Sequence, residues 1–195
     1  MSELYGMAPD AHGAGTFAEA PVHRDADPGR GRTISYRVEV EDGLGLDAGL
    51  FAEAVQRTLD DARSWAGKGK FHFRQTDSRN AEFVITLASP GTTAAWCAKS
   101  GLDTTVSNVS CDSASTKRIM INAFRWAQGS PTFGPEKIFE YRQMLINHEV
   151  GHRIGHRHQN CGTPGTPAPV MQQQTKSLTL NGISCRPNPW PYPDN

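Results

Sequence analysis

The chain has 195 residues, which suits one domain with a sizeable core and argues against two independent domains. Its 20 basic and 20 acidic side chains give a formal net charge of zero. Such a chain has no general attraction to nucleic acid or to an anionic membrane, so a small or peptide-like substrate is the better match. No apolar run reaches the length of a transmembrane segment, and the printed N-terminus lacks the features of a signal peptide.

The four cysteines fall into two pairs that are close in sequence, Cys97 with Cys111 and Cys161 with Cys185. Four cysteines allow three connectivities, and we favour disulfides within the two local pairs. Two alternatives stay open: four reduced thiols, or Cys161 as a metal ligand. Disulfides predict an oxidising compartment, whereas reduced thiols would favour the cytoplasm.

Residues 1–31 are rich in Gly, Ala, Pro and Asp and have no apolar periodicity, which predicts an irregular N-terminal arm. The arm carries four side chains that are able to bind a metal ion: His12, His23, Asp25 and Asp27. One of them could cap an open metal position and keep an enzyme latent, although short polar tails are usually only solvated.

The section after the arm alternates strand and helix patterns. Residues 33–40 alternate apolar and polar side chains, which predicts a half-buried strand. Asp47 is a suitable N-cap for an amphipathic helix that we expect to reach about Trp65. Two more strands are predicted at residues 71–75 and 81–87.

Residues 89–117 are predicted to be irregular, because Ser, Thr, Gly and Asp dominate them, and a fourth strand follows at 118–122. Pro135 then suits the first turn of a second long helix. One face of that helix is predicted to carry Ile138, Tyr141, Leu145, His148 and His152. Frequent prolines after residue 158 predict an irregular C-terminal part.

Residues 148–158 contain the pattern H-E-x-x-H-x-x-G-x-x-H. On a helix, His148 and His152 lie one turn apart on the same face, so both imidazoles are able to reach one metal ion. Gly155 is able to end the helix in a left-handed conformation, which would bring His158 to the same ion. Three histidines leave a fourth position open, as in a catalytic zinc site. His156 is the competing ligand, because on an unbroken helix it would replace His158.

The presence of Glu149 distinguishes a hydrolytic zinc site from a purely structural zinc site. A zinc ion on three imidazoles lowers the pKa of its bound water toward about 7 and polarises a scissile carbonyl. Glu149, next to His148, is placed to take the water proton and to pass it to the leaving nitrogen. A non-catalytic zinc module has no need of this carboxylate, although a glutamate at this offset is sometimes incidental.

The extended zinc motif resembles that of the metzincin clan of zinc metalloproteases. That resemblance implies that Met171, in Ala-Pro-Val-Met-Gln-Gln-Gln-Thr, forms a Met-turn beneath the metal. More closely, the chain is similar to the bacterial domain of unknown function 3152 family over residues 33–193. The similarity rests on the zinc motif, the Met171 segment and three shorter motifs: Val-Glu-Asp-Gly-Leu-Gly at 40–45, Tyr-Arg-Gln at 141–143 and Asn-Pro-Trp-Pro-Tyr-Pro at 188–193.

The resemblance implies an α+β fold in a single domain at 32–195. An N-terminal lobe of twisted mixed sheet with two main helices would span about 32–155, and an irregular C-terminal lobe about 156–195. The active-site cleft would lie between them and take an extended peptide along an exposed sheet edge. Some metzincins use a tyrosine shortly after the Met-turn, but the next tyrosine here is the distant Tyr192. Relatives are commonly exported or membrane-tethered, which implies an extracellular or cell-envelope location.

The function expected from these features is that of a monomeric, zinc-dependent endopeptidase. It would bind one catalytic Zn²⁺ and a peptide or protein substrate, with no nucleic-acid partner. A zinc-stabilised module that binds a peptide or cell-wall component without cleaving it is the main alternative. A zinc amidase acting on a small substrate is a third.

Overall fold

The structure, a computed structural model, describes residues 4–22 and 31–195 and has an α+β fold around one mixed sheet. The sheet contains β1 (Phe17–Glu19), β2 (Arg32–Glu41), β3 (Phe71–Gln75), β4 (Phe83–Ala88), β5 (Cys111–Ser113) and β6 (Arg118–Asn122). The helices are α1 (Ala48–Leu59), α2 (Pro90–Ala98), α3 (Ala123–Gln128) and α4 (Ile138–Arg153), the last preceded by a 3₁₀ turn at Pro135–Lys137. The short strands β7 (Thr179–Leu180) and β8 (Ile183–Ser184) pair near the C-terminus.

The strand order is β1-β2-β4-β6-β5, and β3 pairs with the first half of β2 on the edge that β1 shares. Strands β2, β4 and β6 are parallel, whereas β5 runs antiparallel to β6 at the edge of the sheet. Ile119 and Ile121 of β6 face the core under α1 and α4, while Met120 faces Cys97 of α2. Helices therefore cover both faces of the sheet, because successive residues of a strand point to opposite sides.

The four predicted strands are confirmed as β2, β3, β4 and β6. Helix α1 begins as expected, with the Asp47 side chain accepting a hydrogen bond from the Leu50 N–H. It ends at Leu59, however, and not near Trp65. Beyond the helix, the Ser64 hydroxyl and the Trp65 indole donate to the side chain and the carbonyl of Asn147 on α4. Residues 60–65 therefore leave the helix and contact α4, which helical periodicity does not predict.

The prediction that residues 89–117 are irregular was wrong, because the section contains α2 and β5. Ser89 caps α2, and Pro90 occupies its first turn, both standard signals for a helix start. Helix α3 was also missed, and the Asn122 side chain caps it by accepting from the Phe124 N–H. Helix α2 is only weakly amphipathic and α3 has only six residues, so apolar spacing does not reveal them.

The N-terminal arm is not irregular throughout, because β1 pairs with the second half of β2. A three-residue strand has no alternation of its own to detect, and it forms because β2 offers a partner. Of the four candidate metal-binding side chains in the arm, His23, Asp25 and Asp27 lie outside the described residues. His12 lies against α2, where a Cβ at Gly91 would be 2.7 Å from its Nδ1 atom.

Both predicted disulfides are present, Cys97–Cys111 and Cys161–Cys185, which excludes reduced thiols and a ligand role for Cys161 in this structure. The first joins the end of α2 to β5, and the second closes the C-terminal part of the chain. That part has only β7 and β8 as regular structure, in agreement with its proline content. In residues 4–22 and 31–195, no helix is long and apolar enough to cross a membrane.

Candidate metal centre

Helix α4 carries the first two histidines of the motif from the core to the surface. Ile138, Tyr141 and Leu145 are buried along it, His148 remains buried and His152 is half-buried. Each of these two rings donates its Nδ1 hydrogen to a backbone carbonyl, His148 to Val170 at 2.8 Å and His152 to His156 at 2.9 Å. Both Nε2 atoms therefore keep their lone pairs for a metal ion.

Gly155 ends α4 as the motif predicts, with φ at +99°. The His156 N–H donates to the Gly151 carbonyl at 2.9 Å, and the Gly155 N–H donates to the His152 carbonyl at 3.0 Å. These two bonds form a Schellman motif, which satisfies the last carbonyls of the helix. The chain turns away at this point and brings His158 beside the helix.

His148, His152 and His158 form a group that could hold a metal ion, because their ligand atoms all lie within 4.8 Å of one another. The Nε2 atoms of His152 and His158 are 3.2 Å apart. Two nitrogens bound to one tetrahedral zinc ion are separated by roughly 3.3 Å, so this spacing fits. The competing ligand His156 instead stacks its ring on Trp65, at a centroid distance of 4.3 Å.

Two of the three imidazoles, those of His148 and His158, are in an environment that favours the neutral form, which metal binding requires. Burial lowers the pKa of His148 to about 3, with smaller contributions from His152 and His158. The pKa of His158 is also lowered, first by burial and then by His152 and Lys176. Both rings are therefore neutral at neutral pH, which is the form able to bind a metal ion.

Glu149 is buried beside the triad and lines the same pocket. Burial raises its pKa well above the usual value, the nearby Asp112 carboxylate raises it further, and the Asp112 backbone N–H lowers it. Asp112 lies on the edge strand β5 and forms an ion pair with Arg153 at the end of α4. Burial raises the pKa of Asp112 as well, while Arg153 opposes that shift.

A pocket of about 430 Å³ opens at the triad. Three segments line it: part of residues 102–114, which include β5, residues 173–176, and the part of α4 that carries the first two histidines. Its apolar lining includes Leu102, Val109, Met144 and Leu145. Its polar lining includes Asp103, Thr104, Asp112, Glu149, Gln173, Thr175 and Lys176. The pocket is large enough for a side chain and the adjoining backbone of a peptide.

Met171 lies buried against α4 in the turn formed by residues 168–174, here called the methionine turn. A Cβ on Gly151 would lie 2.4 Å from the Met171 sulfur, so only glycine allows this approach. The turn also reaches the ligand segment, because the Gln159 N–H donates to the Met171 carbonyl at 3.1 Å. The methionine turn thus supports α4 and holds the backbone next to His158.

The arm residue His12 and Tyr192, the first tyrosine after Met171, both lie outside the pocket. His12 is not part of the triad group, and Tyr192 packs its ring edge-on against Trp65. Among the described residues, no tyrosine lines the pocket. The tyrosine of α4, Tyr141, has its hydroxyl 3.0 Å from that of Thr175 and ties the helix to the pocket wall.

Asp112 and Arg153 were missed by sequence reasoning. Arg153 directly follows a predicted ligand, but its partners, which include the Thr116 carbonyl at 2.9 Å, are distant in sequence. Asp112 directly follows a disulfide cysteine, and that is the one local signal that the segment is fixed in place. Neither contact follows from spacing along the chain.

The family comparison covers nearly the whole chain. The model of the family described as "Protein of unknown function (DUF3152)" matches residues 5–193, which extends the similarity into the N-terminal arm. Neither the curated proteins nor the solved structures contain a match to this chain.

Proposed function

The chain belongs to the DUF3152 family, and we propose that it is a zinc-dependent endopeptidase of metzincin type. The observation that carries the proposal is the convergence of His148, His152, His158 and Glu149 on one open pocket. Three imidazole ligands suit Zn²⁺, and a carboxylate beside them suits hydrolysis more than structural metal binding.

The three histidines would hold the zinc ion through ring nitrogens, as Nε2 of His148 and His152 are left free by their Nδ1 bonds. A bound Zn²⁺ supplies Lewis-acid polarisation of a carbonyl and lowers the pKa of water toward about 7. Glu149 would accept the proton of the attacking water on a carboxylate oxygen and return it to the leaving nitrogen. A carboxyl group whose pKa is raised is suited to such a transfer near neutral pH.

The substrate would be an extended peptide, because the pocket is bordered by the sheet-edge strand β5. The Asp112 N–H of β5 already bonds to Glu149, and the other outward backbone groups of such an edge strand would pair with the peptide. The buried apolar side chains of Met144 and Leu145 would contact a side chain of that peptide. Two disulfides favour an oxidising compartment, so we propose an extracellular or cell-envelope location.

A peptide-library cleavage assay with and without a chelator tests this proposal. We expect cleavage that is lost on chelation and restored by stoichiometric Zn²⁺. A protein that binds one zinc ion but cleaves no peptide would contradict the proposal and favour the non-catalytic binding module. Turnover restricted to small non-peptide amides would favour an amidase.

A further inference from the structure

The C-terminal Asn-Pro-Trp-Pro-Tyr-Pro motif lies between α4 and the methionine turn. On the helix side, the Asn147 Nδ2 atom donates to the Pro189 carbonyl at 2.9 Å, and Asn147 Oδ1 accepts from the Ser64 hydroxyl at 2.7 Å. Asn147 is fully buried and directly precedes His148. The motif therefore contacts α4 at the base of the candidate metal centre.

On the other side, Asn188 and Gln174 form a reciprocal pair of hydrogen bonds. The Asn188 N–H donates to Gln174 Oε1 at 2.9 Å, and Gln174 Nε2 donates to the Asn188 carbonyl at 2.7 Å. Gln174 Nε2 also lies 3.2 Å from the Pro169 carbonyl oxygen, to which it donates. Gln174 is completely buried, so no solvent would replace these bonds if they were lost.

The Asn188 side chain continues the network into the methionine turn. Its Nδ2 atom donates to the carbonyls of Ala168 and Trp190, each at 2.8 Å. The carbonyls of Ala168 and Pro169 are thus both held, immediately before the Val170 carbonyl that accepts from His148 Nδ1. Two buried amides therefore fix the backbone that orients a candidate ligand.

We propose that Gln174 and Asn188 are positioning residues for the metal centre. They hold the Val170 carbonyl at the place where it selects the Nδ1–H form of His148 and sets the angle of its ring. Groups that orient a ligating histidine strongly affect metal affinity, typically by 10- to 100-fold when they are removed. The inference rests on the zinc site of the proposed function, but it does not depend on peptide hydrolysis.

The test compares isosteric amide-to-acid variants at a site near the metal and at one far from it. Gln174→Glu keeps the acceptor for the Asn188 N–H but loses both donated bonds. Gln75→Glu is the matched control. Gln75 lies on β3, is also buried and donates to a proline carbonyl, that of Pro21, at 3.0 Å. Both substitutions should lower the stability of the metal-free protein.

Zinc affinity, measured by competition with a chelator, separates positioning from general destabilisation. We expect the Kd for Zn²⁺ to rise about tenfold in Gln174→Glu, and to stay within about twofold in Gln75→Glu. The visible absorption of bound Co²⁺ should shift only in the Gln174 variant, because it reports ligand geometry.

Asn188→Ala provides a milder variant if Gln174→Glu does not fold. It removes the bonds of the Asn188 side chain and leaves the backbone pairing with Gln174 in place. An unchanged zinc Kd and Co²⁺ spectrum in the folded variants would overturn the inference, as would failure of the unaltered chain to bind Zn²⁺. Absence of peptide cleavage by a zinc-loaded chain would contradict the proposed function alone.

Discussion

Met171 packs its sulfur atom against the bare Cα of Gly151, the residue immediately before His152. A Cβ built on Gly151 would lie 2.4 Å from that sulfur and 2.8 Å from Trp65 Cζ2. Both Met171 and Trp65 are buried, so neither can move away without disturbing the core. The glycine therefore sets how closely the methionine turn approaches α4.

Replacing Gly151 by Ala should destabilise the protein, although alanine is the better helix former. Overpacking a core typically costs about 1–3 kcal/mol, against a helix-propensity gain of about 1 kcal/mol. The 2.4 Å approach places the cost in the upper part of that range, about 2–3 kcal/mol, so we expect a net loss of about 1–2 kcal/mol, measured by urea unfolding. Gly162→Ala is the control, because its Cβ would meet open space. A Gly151→Ala protein as stable as the unaltered chain would contradict the close contact.

Replacing Gly155 by Ala should affect both stability and zinc binding. A left-handed conformation costs a residue with a Cβ roughly 1–2 kcal/mol, and here the strain would displace the turn that carries His158. Gly69→Ala is the control, because Gly69 also has a positive φ (+68°) and free space around it. We expect similar losses of unfolding free energy in both, but weaker Zn²⁺ binding only in Gly155→Ala. Equal zinc affinities would argue against His158 as a ligand.

The two disulfides should contribute similarly to stability but differently to the pocket. They close loops with sequence separations of 14 and 24, and each should stabilise the fold by about 3 kcal/mol. Cys97–Cys111 anchors β5, which borders the pocket, so its replacement by two alanines should also raise the KM for a cleaved peptide. Replacing Cys161 and Cys185 should leave KM nearer its original value. An unchanged KM in both variants would show that β5 does not depend on its disulfide for position.

The metal-free protein should lose stability as the pH falls, partly because of His148. Its folded pKa is about 3, whereas the usual value is 6.5. Above about pH 6.5 the His148 ring is neutral in both the folded and the unfolded protein. Below that pH only the unfolded chain takes up the proton, so the free energy of unfolding decreases as the pH falls toward 3. As the pH falls from about 7.5 to about 5, His148 alone should lower the free energy of unfolding by about 2 kcal/mol.

Urea unfolding of chelator-treated protein at these two pH values measures the effect. The variant His148→Gln lacks the titrating ring, so its pH-dependent loss should be smaller than that of the unaltered chain by about 2 kcal/mol. Identical pH dependence in the two proteins would mean that His148 is accessible to protons in the fold.

Features that depend on local sequence could be predicted, and features that depend on distant contacts could not. Asp47 as N-cap, the turn at Gly155 and the alternation of β2 follow from neighbouring residues alone. The early end of α1 could not be predicted, because Trp65 leaves the helical course and bonds to Asn147, far along the chain.

In the candidate site, too, the features set by local sequence could be predicted and those set by distant contacts could not. The triad lies on one helix and the turn after it, so its spacing is a local property of the sequence. Asp112 reaches Glu149 only because β5 pairs with β6 and Arg153 ties α4 to that edge. Because this three-residue strand was missed, the carboxylate that helps to raise the pKa of the proposed general base was missed as well.

The most direct test of the proposed hydrolysis is a comparison of the unaltered chain with Glu149→Gln, each with its zinc content measured. Both proteins should bind one zinc ion with similar affinity, because Glu149 is not a ligand in the proposed site. Peptide hydrolysis should fall by about 10²- to 10⁴-fold in the variant, the usual contribution of a positioned general base. Undiminished hydrolysis by zinc-loaded Glu149→Gln would contradict the account.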